Sequence, residues 1–219
     1  MTTWTENPRG GRERGPRGLA RAWVELLVRP RRFFRNGVAP GDQAPGLVFG
    51  VAVALVYIAT RFAFLPSARP DFFPGQPLAS ALVGLGIVGL IIAPAALHLT
   101  AAIQTLILMA GVRERAGVSE TVQVVAYATA PCALAGVAAP PGAGATLVTL
   151  VAGWRLLLAL WGVGLLVVGM ATVHDVSIPH AAVVTVVPGV IVFGYLFGGL
   201  FAAETVFGIE LVDTTPPGR

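Results

Sequence analysis

The 219-residue chain is 55% hydrophobic and 12% charged, with a mean hydropathy of +0.77. Soluble domains carry roughly 25% charged residues, so this composition excludes a water-soluble enzyme and leaves an integral membrane protein. The net charge of +4 rests on arginine alone, and nine of the 15 arginines precede residue 45.

Residues 1–18 mix Thr, Asn, Pro, Gly and Arg without hydrophobic periodicity and read as a disordered polar tail. Residues 19–44 form an amphipathic juxtamembrane segment. Leu19, Trp23, Leu26 and Leu27 share one helical face and Arg21, Glu25 and Arg29 the other, followed by Pro30, Arg31, Arg32, Phe33, Phe34 and Arg35. Two placements are open, and they are compatible. The helix can lie in the headgroup layer, with Trp23, Arg29, Arg31, Arg32, Phe33 and Phe34 as membrane-interface residues, or it can pack on the cytoplasmic end of the bundle.

Residues 45–207 form an all-α polytopic bundle of five transmembrane spans, at about 46–65, 78–111, 120–139, 147–173 and 178–203, with a C-terminal tail at 208–219. The first apolar run starts too far into the chain for a cleavable signal and is expected to remain as an anchor. The loop from Pro66 to Pro77 contains four prolines and cannot be helical throughout.

The apolar stretch from Leu78 to Val112 would make a straight helix of about 52 Å, longer than a ~30 Å hydrocarbon core. Either one long span kinks at Pro94, or a hairpin turns there. The hairpin would carry Arg113 and Arg115 to the outside, against the positive-inside rule, so one kinked span is preferred. The run from Ala145 is interrupted by Trp154-Arg155. Arg155 is then either buried within a helix, or the first of its span after an interfacial Ala145–Trp154 segment. Arginine counts on alternate sides place the N-terminus in the cytoplasm and the C-terminus outside, in a multi-pass protein of the cell membrane.

Ionisable groups at membrane depth are the places to look for chemistry, because charge in hydrocarbon is costly unless paired or wet. Arg61, His174 and Asp175 fall near predicted interfaces and read as solvated ends. His98, Gln104, Tyr127 and Arg155 form a candidate intramembrane polar cluster, although a buried His98 bonded across helices has the same signature. The scattered histidines and the single Cys132 offer no metal-ligand spacing, and nucleotide-binding and hydrolase motifs are absent. No catalytic residue, cofactor, metal or nucleic-acid partner is expected. Gly46-x-x-x-Gly50 and Gly194-x-x-x-Gly198 read as packing inside the chain.

Leu26-Leu27-Val28-Arg29-Pro30-Arg31-Arg32-Phe33-Phe34, then Leu97-His98-Leu99, Gly117-Val118-Ser119-Glu120-Thr121 and Val125-Ala126-Tyr127-Ala128-Thr129-Ala130-Pro131 occur in order. Val173-His174-Asp175-Val176-Ser177 and Ala181-Ala182 complete the series. In these residues the chain resembles the Yip family, the small polytopic proteins named for interaction with Ypt/Rab GTPases, in a prokaryotic and haloarchaeal-like branch. The acidic-Leu-Tyr-Gly-Pro motif of eukaryotic members is missing. The resemblance implies five spans and a cytoplasmic N-terminus. The expected role is a non-enzymatic scaffold or bilayer-organising, trafficking-like protein. Its partners would be the lipid bilayer and either a protein bound through residues 1–44 or a second copy. The alternative is a small transporter or channel with a midplane site around His98, Gln104 and Tyr127.

Overall fold

The computed structural model describes residues 3–6, 12–112 and 115–209, so the acidic tail from residue 210 and Arg113 lie outside the described residues. The chain is a helical bundle with one short ribbon. In the leader expected to lack order, strands β1 (Thr3–Glu6) and β2 (Arg12–Arg14) pair antiparallel, with Thr3 opposite Arg14 and Thr5 opposite Glu13. Thr and Trp favour extended backbone there. Helix α1 then starts at Gly15, not Leu19, and runs to Val28; α2 follows at Pro30–Gly37, with Pro30 preset for its first turn.

Helix α3 (Ala44–Phe64) is the first helix long and apolar enough to cross a bilayer. The second is one continuous helical run, Pro77–Gly111, of 35 residues, which removes the hairpin alternative. It consists of α4 (Pro77–Ile87), a π-helical segment at Val88–Ile92, and α5 (Ala93–Gly111). Proline at 94 cannot donate to the carbonyl four residues back, and the ladder shifts to i→i+5 just before it, with the Ala93 N–H bonded to Val88.

The third expected span, 120–139, is corrected in form. Helix α6 (Val118–Ala128) has 11 residues and gives way at Thr129 to a 3-10 turn, Ala130–Leu134. Proline at 131 has no N–H for the Tyr127 carbonyl and disfavours α-helix at Ala130. The segment nonetheless ascends beside α3 in the same direction. Gly46 packs on Gln123, Gly50 on Ala126, and Gly136 on Tyr57 and Thr60. Backbone carbonyls freed by the break would be costly at membrane depth, and indoles satisfy two of them. Trp23 Nε1 donates to the Ala130 carbonyl at 2.8 Å, and Trp154 Nε1 to that of Leu134 at 3.1 Å.

Helix α7 (Ala145–Val173) descends antiparallel, and Trp154 and Arg155 lie within it, which settles that alternative in favour of one helix. The fifth expected span is also broken. Helix α8 (Ile178–Val184) meets the run Val186–Leu196 at 60°. That run is α9 (Val186–Gly189) followed by a second π segment, Val190–Leu196. Pro188 has no N–H for the Val184 carbonyl, and Gln104 Nε2 donates to that carbonyl instead, at 3.2 Å. Left-handed Gly198 (φ 72°) turns the chain into α10 (Gly199–Phe207), which packs along α7. Among the described residues three helices are long and apolar enough to cross a bilayer, and four with the bent pair, so the unbroken helices do not number five.

Leu82, Leu90, Leu99 and Leu106 are exposed along the run Pro77–Gly111, apolar surface that suits hydrocarbon and not water. Small residues set the closest helix approaches. A β-carbon at Gly136 would stand 2.3 Å from the Tyr57 carbonyl oxygen, whereas one at Gly153 would meet nothing within 4 Å. Gly136→Ala is expected to destabilise by about 1–3 kcal/mol. Gly153→Ala, in an open helical position, is expected to be neutral or stabilising by up to ~1 kcal/mol, a contrast read by thermal unfolding in micelles.

Candidate functional site

The residues expected at the membrane interface divide between two environments. Arg29, Arg31 and Arg32 are exposed, as are Arg17, Arg21 and Arg35. Phe33 and Phe34 are each 1% exposed and lie inside the bundle. Phe33 meets the Tyr127 ring edge-on at 4.8 Å between centroids, and Tyr127 meets Phe49 at 5.2 Å. Phe34 reaches Gly169 and Val124, where the missing glycine side chain leaves room for its ring. Leu26 is fully buried, and Leu19, Trp23 and Leu27 pack against the core, so the apolar face of α1 is turned onto protein, as in the second of the two placements.

Polar contacts tie the same segment to α6. The Ala39 N–H donates to Gln123 Oε1 at 2.9 Å, and Gln123 Nε2 returns a bond to the Ala39 carbonyl at 2.7 Å. The Gly41 N–H donates to Glu120 Oε1 at 2.8 Å. Behind Glu120, His174 is 2% exposed with Nε2 3.3 Å from Thr121 Oγ1. Burial pushes the His174 pKa down to about 4, with Arg115 adding to the fall and Glu120 opposing it. An arginine-rich face is therefore mounted on a fixed base. Of its charges, Arg32 is paired to Glu25 at 3.4 Å.

The intramembrane cluster expected from sequence is not assembled. His98 is exposed, with Nδ1 2.8 Å from the Pro94 carbonyl of its own helix. Gln104 serves the bend at Val184, and Tyr127 belongs to the aromatic group around Phe33. Arg155 sits at the far end of the bundle, where its Nη2 approaches Gly198 and its charge faces Arg61. The proximity of Arg61 and Arg155, 94 positions apart, leaves no local trace in the sequence. Among the described residues, no three His, Cys, Asp or Glu side chains gather as metal ligands.

The seam from α1 through the break at Gly198 coincides with a family match. The model of the Yip1 domain matches residues 24–200. The chain belongs to the Yip1-domain family. No curated protein and no solved structure matches it. The Yip1 domain here takes in Phe33, Phe34, the α6 segment and both π segments, and it identifies the chain as a multi-pass integral membrane protein of this family. The match begins at Val24 and so leaves out Trp23 and the first half of α1.

Proposed function

We propose that the protein is a non-enzymatic membrane scaffold whose α1–α2 segment presents an arginine-rich docking face at the cytoplasmic side of the cell membrane. The observation that carries this reading is the contrast within one short stretch: Phe33 and Phe34 are locked into the bundle while Arg29, Arg31 and Arg32 point outward. A face held in place binds without the ordering cost that a flexible basic tail would carry. Its charge suits an acidic protein surface, with anionic headgroups as supporting contacts. The N-terminus lies in the cytoplasm and the C-terminus outside, in keeping with the arginine distribution.

The test is crosslinking in the native membrane, comparing the natural chain with the triple variant Arg29→Gln, Arg31→Gln, Arg32→Gln. A protein partner attached through residues 1–44 is expected, and the triple variant is expected to lose about 90% or more of it, the equivalent of roughly 1.4 kcal/mol. An undiminished adduct in the variant, or no adduct in either chain, would remove the scaffold reading. Labelling of the separate variants Arg31→Cys and Arg69→Cys in intact cells reads the orientation, and only the Arg69→Cys chain is expected to react with an impermeant thiol reagent.

A further inference from the structure

At the end of the bundle opposite α2, Arg61 lies one helical turn beyond Tyr57 on α3, and the Arg155 guanidinium of α7 lies beside Gly198 near the Tyr57 hydroxyl, within electrostatic range of Arg61, so that the two charges repel. Arg61 Nη1 and Arg155 Nε are both shielded from solvent and have no hydrogen-bond partner. Neither side chain takes part in an ion pair among the described residues. Two like charges with idle donors at membrane depth are unfavourable unless an anion joins them. Arginine forks are suited to phosphate, because two parallel N–H groups meet two oxygens of one group.

Directly beneath, Tyr57, one helical turn before Arg61, donates its hydroxyl to the Phe197 carbonyl at 3.3 Å. These two rings also stack edge-on at 5.0 Å. They form the roof of a cavity of about 220 Å³ whose walls are almost wholly apolar, including Ala54 and Ala96. Both π segments line it, Val88 and Ile92 from one, Val192 and Leu196 from the other. Such insertions widen a helix locally and occur often at functional sites. Gly198 completes the join, since a β-carbon there would stand 2.5 Å from Arg155 Nη2 and 3.8 Å from the Tyr57 hydroxyl.

We propose that Arg61 and Arg155 receive the phosphate of an anionic phospholipid whose acyl chain occupies the cavity under Tyr57 and Phe197. The site is independent of the scaffold reading, and it lies at the other end of the molecule. An apolar cavity alone would accept any hydrocarbon, and an arginine pair alone any small anion. Their adjacency selects a molecule with both parts.

The experiment uses the full chain, delipidated in detergent, with binding followed by native mass spectrometry and thermal stability. Phosphatidylglycerol, phosphatidylcholine and inorganic phosphate are the probes. Phosphatidylglycerol is expected to bind and raise Tm, with the other two at equal concentration giving little. Arg61→Gln and Arg155→Gln are each expected to weaken phosphatidylglycerol about tenfold, the loss of one charge-assisted bond. Ala96→Phe, which fills the cavity and leaves both arginines, is expected to weaken it as well. Without lipid, the two arginine variants should be at least as stable as the natural chain, because repulsion is relieved. Lower lipid-free stability would make the pair structural and overturn the proposal. Equal binding of phosphatidylcholine would overturn it too. Phosphate that matches phosphatidylglycerol while Ala96→Phe changes nothing would replace the lipid by a free anion.

Discussion

Phe33→Ala is expected to lower stability by about 3–5 kcal/mol, the usual range for a buried aromatic removed from a packed site. The ring is 1% exposed, stands edge-on to Tyr127 at 4.8 Å, and covers Gly37, where a β-carbon would be 2.9 Å away. Nothing on α2 can fill the space, because the neighbouring Phe34 is committed to the groove at Gly169 and Val124. Loss of the ring also loosens the base of the arginine face, so release of α2 should accompany the fall in Tm. Thermal unfolding in micelles reads the first effect and amide exchange over residues 30–41 the second. Arg31→Ala, on the exposed side of the same helix, is the control, with an expected change within about ±0.5 kcal/mol. Equal effects of the two substitutions would mean that α2 is not seated on the bundle.

Acid is expected to weaken the fold through His174. In the folded protein burial holds its pKa down to about 4, against 6.5 for an unperturbed imidazole. Between these values the unfolded chain takes up a proton that the folded chain refuses, so stability rises with pH across that window. The contribution is complete above about pH 6.5, is lost as pH falls toward about 4, and amounts to about 3 kcal/mol in all. Thr121 holds Nε2, and Nδ1 has no partner, so a protonated ring would add a charge in a buried site, only partly offset by Glu120, and a second donor that nothing accepts. His174→Gln cannot titrate. Its Tm should be flatter than that of the natural chain between pH 4 and 6.5, and parallel curves would sink the assignment.

Membrane insertion, the start of α3 and the long second crossing are legible from apolar run length. Apolar character has one meaning in water, burial, but two in a bilayer. Phe33 and Phe34 read equally well as lipid anchors and as core, and only the partners at Tyr127 and Gly169, far along the chain, decide for core. For the same reason Trp23 reads as an interfacial anchor, while its indole N–H is committed to the Ala130 carbonyl. Helix breaks are half legible. Pro94 marks where an α-ladder must fail, whereas Pro131 and Pro188 lie in runs that read as unbroken spans. Whether it fails as a π segment, a 3-10 turn or a 60° bend depends on which neighbour supplies the missing bond, as Gln104 does for Val184. His98 and Arg155 stand out as polar residues in apolar runs, and the structure separates them, because position in a run encodes depth and not azimuth around the helix.

The short α6 has a further consequence for how the chain is made. Eleven helical residues span about 16 Å, too little to enter hydrocarbon alone, and the 3-10 turn that follows leaves carbonyls needing indole donors. One donor, Trp23, is synthesised earlier, and the other, Trp154, later. The pairing of residues 118–136 with both indoles is complete only once α7 has been made, so this segment and α7 are expected to enter the bilayer as a pair rather than one at a time.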